Sequence, residues 1–305
     1  MPLDVVVITN PISGRKGRRS TLESLRARLT AAGRSVEIYP TQYAGDGARR
    51  AEEVARLGGR LIVAAGGDGT VNEVARGLLA AGPTDALLGI LPFGTSNLVA
   101  RELSIPLNPL RAIDVLLTGH PVEMDAGQAG EKLFLACIGV GWDAHVVESL
   151  SASRKGHIHF ASYVRPVLRA TLDYRFPRLT VETYDGEQAT GELAMILNCR
   201  PYAAFFTLIP DARSDDGLLD AIVLERRGAL DIPRWIWKAK RGTLHRDAGA
   251  RVLRSRGFRI TSTEPAPFQI DGDVGGATPL DVLVRPGVIR VLAPDSHRAL
   301  KSVRT

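Results

Sequence analysis

The chain has 305 residues, 45% of them hydrophobic and 24% charged, which is the balance of an ordinary soluble globular protein of roughly two domains. No apolar run approaches the ~20 residues that a membrane-spanning helix needs, and the two cysteines, Cys137 and Cys199, lack the number and spacing of a disulfide framework or a zinc site. They read as reduced core thiols. A formal net charge of +6 suits anionic partners (nucleotides, acidic lipid surfaces or nucleic acid) without choosing among them.

The N-terminal "DVVVITN" (4–10) is a short β-branched run with no basic region before it. It is expected to be a first strand rather than a signal peptide, and the expected address is the cytoplasm. "STLESLRARLTAAG" follows with Leu22, Leu25 and Leu29 on one helical face and Gly33 as the stop. "SVEIYPT" and "RLIVAA" read as strands, "GARRAEEVARLGG" as a helix, and "VNEVARGLLAAG" as a helix starting near Val71. "ALLGILPFG" is another strand. Apolar β-rich runs alternating with helices predict a parallel sheet covered on both faces.

After about residue 125 the pattern changes. "KLFLACIGV", "RLTVETY", "ELAMILN", "LLDAIVLE", "FRITST", "PFQIDG", "LDVLVR" and "VIRVLAP" are short β-like runs divided by Gly, Pro and Asp. They predict an antiparallel sandwich or barrel. Helical segments are expected near Ala161–Leu172 and Leu230–Arg241.

Three loops follow strands of the first half. "GGDGT" (66–70) places glycines and a helix start after a buried strand, the arrangement that lets backbone N–H groups approach a phosphate. Asp68 beside phosphates requires an intervening cation or ligand hydroxyl. "TNPISGRKGRR" (9–19) and "LPFGTSNLVAR" (91–101) are the companions. Loops at the carboxyl ends of strands in one sheet converge on one edge, where such sheets bind ligands.

These residues carry a resemblance. "NPISG", "GGDGTVNEV" and "PFGTSNLVARELSIP", continued by "MDAGQAGEKLFLACIGVGWDAHVV", "GHIHFASYVRPVLRAT", "RSDDGLLDAIVLE", "RGTLHR" and "FQIDGD", resemble the diacylglycerol kinase catalytic-domain family over essentially the whole chain. The resemblance implies a Rossmann-like α/β nucleotide domain (1–125, with 288–305 returning to it) and an antiparallel β-sandwich domain (126–287). It implies an ATP- and Mg²⁺-dependent kinase acting on a lipid hydroxyl.

By motif, Asn10, Thr41, Gly66, Gly67, Asp68, Gly69, Thr70, Asn72 and Thr95 would contact the nucleotide. Asp68 and Asp125 would organise nucleotide and metal. Asp273 would accept the hydroxyl proton, and Arg213, Asp216 and Leu218 would hold a structural Mg²⁺ through one carboxylate and two backbone carbonyls. Two positions depart from the family. Asp273 stands where the family has Glu, one methylene longer, and Leu98 stands where many members carry Asp.

The pair His157 and His159 has no acidic or thiol neighbour in sequence and is not expected to bind metal. Trp235, Ile236 and Trp237 beside Arg234, Lys238, Lys240 and Arg241 suit a transient membrane contact, although a packed helix with a basic outer face has the same composition. The expected partner is a lipid at the membrane surface, approached peripherally. No nucleic-acid reader motif is present, and a homodimer is left open. Two readings compete with the lipid kinase. An NAD kinase shares GGDGT and the two-domain plan, and a non-catalytic nucleotide-sensing, membrane-docking module would keep the scaffold without the chemistry.

Overall fold

The computed structural model describes residues 4–11, 17–152, 171–203, 205–228 and 230–297, with backbone only at 150–152. His157, His159 and most of the expected helix at 161–172 lie outside the described residues. The chain forms two compact units, one holding the described residues up to Ala126 and those from Pro286 onward, the other Gly127–Arg285.

The first unit alternates strand and helix: β1 (Val5–Thr9), α1 (Arg18–Ala31), β2 (Val36–Pro40), α2 (Asp46–Arg56), β3 (Leu61–Gly66), α3 (Asp68–Ala80), β4 (Leu87–Pro92), α4 (Leu98–Glu102) and α5 (Pro109–Thr118). The strands run parallel in the order β2-β1-β3-β4, and the end of β18 (Leu280–Ala293) lies parallel to β4 with Val291 opposite Leu88. β1 and β3 are buried along their whole length, as expected for a parallel sheet with helices on both faces.

The predicted face of α1 is the buried one, Leu22, Leu25 and Leu29 together with Thr21. α5 was not anticipated, although its start is written in the sequence. Asn108 accepts the N–H of Leu110 at 3.0 Å, and Pro109 takes the first helical position, where no N–H is needed.

The second unit is antiparallel. One sheet has the order β14 (Ala250–Ser255), β13 (Leu219–Leu224), β10 (Leu193–Leu197), β7 (Cys137–Gly141), β16 (Pro267–Ile270) and β17 (Asp273–Ala277). A second layer contains the start of β18, β15 (Gly257–Ser262), β8 (Leu179–Thr183) and β9 (Gln188–Gly191). Between the layers lies a core that includes Ile138, Val140, Ile196 and Val223 from the first and Val181, Phe258, Ile260 and Val282 from the second. This is a sandwich.

The first layer is also covered on its other face. Leu193, Met195, Leu197, Ile222 and Leu224 pack with Ile232, Trp235 and Ala239 of α7 (Asp231–Lys240). Both faces being dry explains why β10 and β13 are buried at every position rather than at alternate ones. Cys137 and Cys199 are both buried, and the Cys199 thiol donates to the Leu135 carbonyl at 3.0 Å. The run "KLFLACIGV" is split into β6 (Lys132–Phe134) and β7, and "WDAHVVESLSA" forms α6 (Trp142–Ala152), a helix that the sequence pattern did not single out.

Candidate functional site

In the first unit the strand order reverses direction at β1 and β3, which are sheet neighbours. The crevice at that switch point, beyond the carboxyl ends, is where open α/β sheets bind ligands. The register aligns the loops there. Thr9 is opposite both Pro40 and Ala65, and Gly66 is opposite Pro92. Asn10, Thr41, Gly66–Thr70 and the 94–97 loop therefore all leave the sheet at one edge.

Hydrogen bonds tie these loops together. The Thr41 N–H donates to the Thr9 carbonyl at 2.9 Å, and the Phe93 N–H donates to the Gly66 carbonyl at 2.9 Å. Gly67 and Gly94 pass so closely that a Cβ on Gly94 would stand 2.5 Å from the Cα of Gly67. Backbone cannot yield to a side chain, so glycine at 94 is a packing requirement. Asn97, in the left-handed region at φ 49°, closes the third loop by accepting the Gly94 N–H at 3.0 Å and donating to the Gly94 carbonyl at 2.8 Å. Arg101 Nε fixes the same loop through the Ser96 carbonyl at 2.8 Å.

The glycine motif is less of a loop than its composition suggests. α3 begins at Asp68, three residues before the expected Val71, with Gly67 as its extended N-cap. Asp68, Gly69 and Thr70 are thus its first turn, in which the Thr70 N–H turns back to the Gly67 carbonyl at 3.0 Å. Asp68 accepts the Leu98 N–H at 2.6 Å, so one carboxylate oxygen is committed to the start of α4. Burial raises its pKa, against the opposing pull of the N–H groups of Leu98, Asn97 and Val99. Asn72 lies on the first turns of α3, and Thr95 is exposed at the tip of the third loop.

Two acids missed in the sequence hold the segment between β2 and α2. Glu73 accepts the N–H groups of Gly45 and Gly47 at 3.0 and 3.1 Å, at the start of α2. Asp46 is fully buried and accepts from Gln42 N–H, the Tyr39 hydroxyl and Arg49. Burial pushes its pKa up, but those donors outweigh it and leave the carboxyl below its ordinary value. For Asp46, a charged residue at a helix start was the available signal.

Asp125 lies on β5 (His120–Ala129), is 2% exposed, and accepts the Gly287 N–H at 2.7 Å. It joins β5 to β18 where both strands pass from one unit to the other.

In the second unit Asp273 starts β17, opposite Ile270. It is exposed and has no hydrogen-bonded or charged partner among the described residues. The two residues between are Asp271 (φ 49°) and Gly272 (φ 89°), a tight hairpin with both central residues left-handed. Asp271 is structural, its carboxylate accepting the N–H groups of Leu135, Ala136 and Cys137 at 2.7 to 2.9 Å.

Asp216 accepts the Leu218 N–H at 3.1 Å and pairs with the Arg254 guanidinium. Arg213 Nε donates to Asp215 at 3.1 Å. Beside them Asp220 is 4% exposed, and its Oδ2 has no hydrogen-bond donor. Burial pushes its carboxyl up to about 6; Arg254 opposes this, while Asp216 and Asp211 add to it. An orphaned buried carboxylate oxygen among acids fits a hard cation. No cluster of three His, Cys, Asp or Glu side chains able to hold a metal forms among the described residues, so any ion here would depend on backbone carbonyls.

Comparison with known proteins adds to this geometry. Residues 4–129 match the diacylglycerol kinase catalytic domain, and residues 136–293 match the YegS C-terminal NAD kinase beta sandwich-like domain. Curated relatives include a diacylglycerol kinase of Staphylococcus carnosus (strain TM300), 29% identical over 94% of each chain. Another, from Staphylococcus saprophyticus, is 29% identical over 95% of each chain. Two crystal structures from Bacillus anthracis str. Sterne share the fold, with TM-scores of 0.78 and 0.75 at 24% and 23% identity. Each covers 97% of this chain and 99% of its own, and the second is described as a diacylglycerol kinase.

Proposed function

Because the chain belongs to the diacylglycerol kinase catalytic-domain family, a family of kinases, we propose that it transfers the γ-phosphoryl group of ATP to a hydroxyl of a lipid such as diacylglycerol. The observation that carries the reading is the meeting of four strand-end segments at one sheet edge, with the Gly67–Gly94 contact and the first turn of a 13-residue helix at its centre. That edge presents N–H groups and the positive end of a helix to phosphates. Gly66, Gly67, Asp68, Gly69 and Thr70 take the phosphate side of the nucleotide. Asn10, Thr41, Asn72 and Thr95 border it.

Phosphoryl transfer asks the protein mainly for positioning, charge neutralisation and a proton acceptor. Asp273 is assigned the last role. Its carboxylate is exposed and unpartnered, as a base must be before the substrate hydroxyl arrives. Mg²⁺, when bound, supplies positive charge against the phosphates. Asp68 and Asp125 are the acids proposed to orient the nucleotide and that ion, and each already uses one oxygen to accept a backbone N–H, of Leu98 and of Gly287. At the second acidic cluster Asp216, with the carbonyls of Arg213 and Leu218, would hold a structural ion beside the unpaired oxygen of Asp220.

The lipid is proposed to be met at a membrane surface, peripherally; no described helix is long and apolar enough to cross a membrane. The test is a panel of diacylglycerol, phosphatidylglycerol, sphingoid base, polyprenol and NAD with labelled ATP and Mg²⁺. The expected result is a phosphorylated lipid, lost on chelation of the metal. Phosphorylation of NAD and of no lipid would reverse the assignment, and ATP turnover with none of them would favour a non-catalytic module.

A further inference from the structure

The turn that carries Asp273 is held from below by a polar chain buried in an otherwise apolar layer. Asp143, on the first turn of α6, is 7% exposed, and Gln269, in the middle of β16, is 2% exposed. The Tyr202 hydroxyl donates to Asp143 Oδ1. Gln269 Nε2 donates to Asp143 Oδ2 at 3.0 Å, and Gln269 Oε1 accepts the N–H of Gly272 at 2.7 Å.

The direction of this chain is forced. A backbone N–H can only donate and a carboxylate can only accept, so the Gln269 amide has one orientation that satisfies both ends. The backbone makes room for it. A Cβ on Gly139 would stand 1.9 Å from Asp143 Oδ2 and 2.9 Å from Gln269 Nε2. Burying a carboxylate and an amide costs free energy that an apolar pair would avoid, and the backbone group held at the far end is the N–H of Gly272.

Asp271 pins the near side of the same turn through three N–H groups, but nothing in that anchor directs the residue after Gly272. We propose that Gln269, itself oriented by Asp143, is a positioning residue: by holding Gly272 it sets the direction in which the Asp273 carboxylate leaves the turn. Neither side chain touches substrate. The inference rests on the reading of Asp273 as the base.

The experiment combines Gln269→Leu, the shape-preserving Asp143→Asn, and each of these in an Asp273→Asn background. Turnover is measured with ATP and the accepted lipid, and hydrogen exchange is followed at the Gly272 amide. Gln269→Leu is expected to speed Gly272 exchange and to lower kcat by about 10- to 100-fold through misplacement of the base. The KM for ATP should stay within about 2-fold, since the nucleotide residues lie in the other unit. In the Asp273→Asn background the same change should add almost nothing. Asp143→Asn, which keeps the packing, should show the same pattern with smaller amplitude. Equal losses in both backgrounds, or unchanged kcat with Asp273→Asn slow, overturn the positioning role alone. Full turnover of Asp273→Asn on the same lipid overturns the base reading and the role that depends on it.

Discussion

Asp273 and Gly94 show how differently a single residue can matter. Asp273 stands in the open, so one more methylene meets no packed neighbour. Asp273→Glu is therefore expected to retain or raise kcat, whereas Asp273→Asn should lower it by about 10²- to 10⁴-fold, the usual worth of a positioned base. Steady-state turnover on the accepted lipid checks both, and equal activity of all three proteins would remove the role. Gly94 has no chemistry of its own. Gly94→Ala places a methyl group against the Gly67 backbone, and overpacking of this kind costs about 1–3 kcal/mol. The expected outcome is a lower melting temperature together with weaker ATP binding by calorimetry, because the displaced backbone is the phosphate side of the proposed site. Unchanged ATP affinity would argue that the nucleotide lies elsewhere. Both residues stood out in the sequence as members of motifs, but only the backbone approach separates the glycine that packs from the exposed acid proposed as the base.

At the scale of elements, α7 is the instructive case. Its sequence and C-cap combine Trp235, Ile236 and Trp237 with Arg234, Lys238, Lys240 and Arg241, and the aromatic run divides between a packed side and an exposed one. Trp235 is 4% exposed in the core, while Ile236 and Trp237 are 41% and 54% exposed, with the Arg241 guanidinium 4.4 Å from the Trp237 ring centre. The helix is also moored by charge. Asp247, its side chain 2% exposed, receives Arg234 at 3.0 Å and Lys238 at 2.9 Å. Burial pushes the Asp247 pKa up, but Lys238, the Gly249 N–H and Arg234 outweigh it and leave it lowered. A lowered folded pKa means stability that is complete above the unfolded value near 4 and is lost as pH falls through the folded value. Asp247→Asn is thus expected to cost about 2 kcal/mol at pH 7, and the gap to the parent should close in acid. Urea melts at pH 7 and pH 3 measure this, and a gap that does not change with pH would deny the ionic mooring. The hydrophobic stripe of α1 was legible because its period is local. α6 was not, since its Asp143 faces a buried amide that comes from a strand more than a hundred residues away.

For the whole molecule, the +6 net charge and the exposed face of α7 bear on how the kinase would meet a lipid. Aromatic and basic groups side by side suit an anionic membrane surface, where each basic charge contributes about 1 kcal/mol. Trp237→Ala is expected to weaken binding to phosphatidylserine-containing vesicles by several-fold, about 1 kcal/mol, and 0.5 M salt should weaken it further by screening. Sedimentation with vesicles checks this. Equal binding by both proteins at both salt concentrations would place the contact elsewhere. The alternation of strand and helix in the first unit, the change to antiparallel strands in the second, and the glycine-rich loops were legible along the chain, since periodicity and glycine spacing are local properties. It took the folded chain to reveal which glycines touch and that Asp68 and Asp125 each give an oxygen to a backbone N–H. The fold likewise makes Asp271 the builder of the turn, while the Asp273 carboxylate has no partner among the described residues. Those assignments depend on which donors and backbones the sheet register brings within 3 Å, and register is a relation between strands that no single stretch of chain contains.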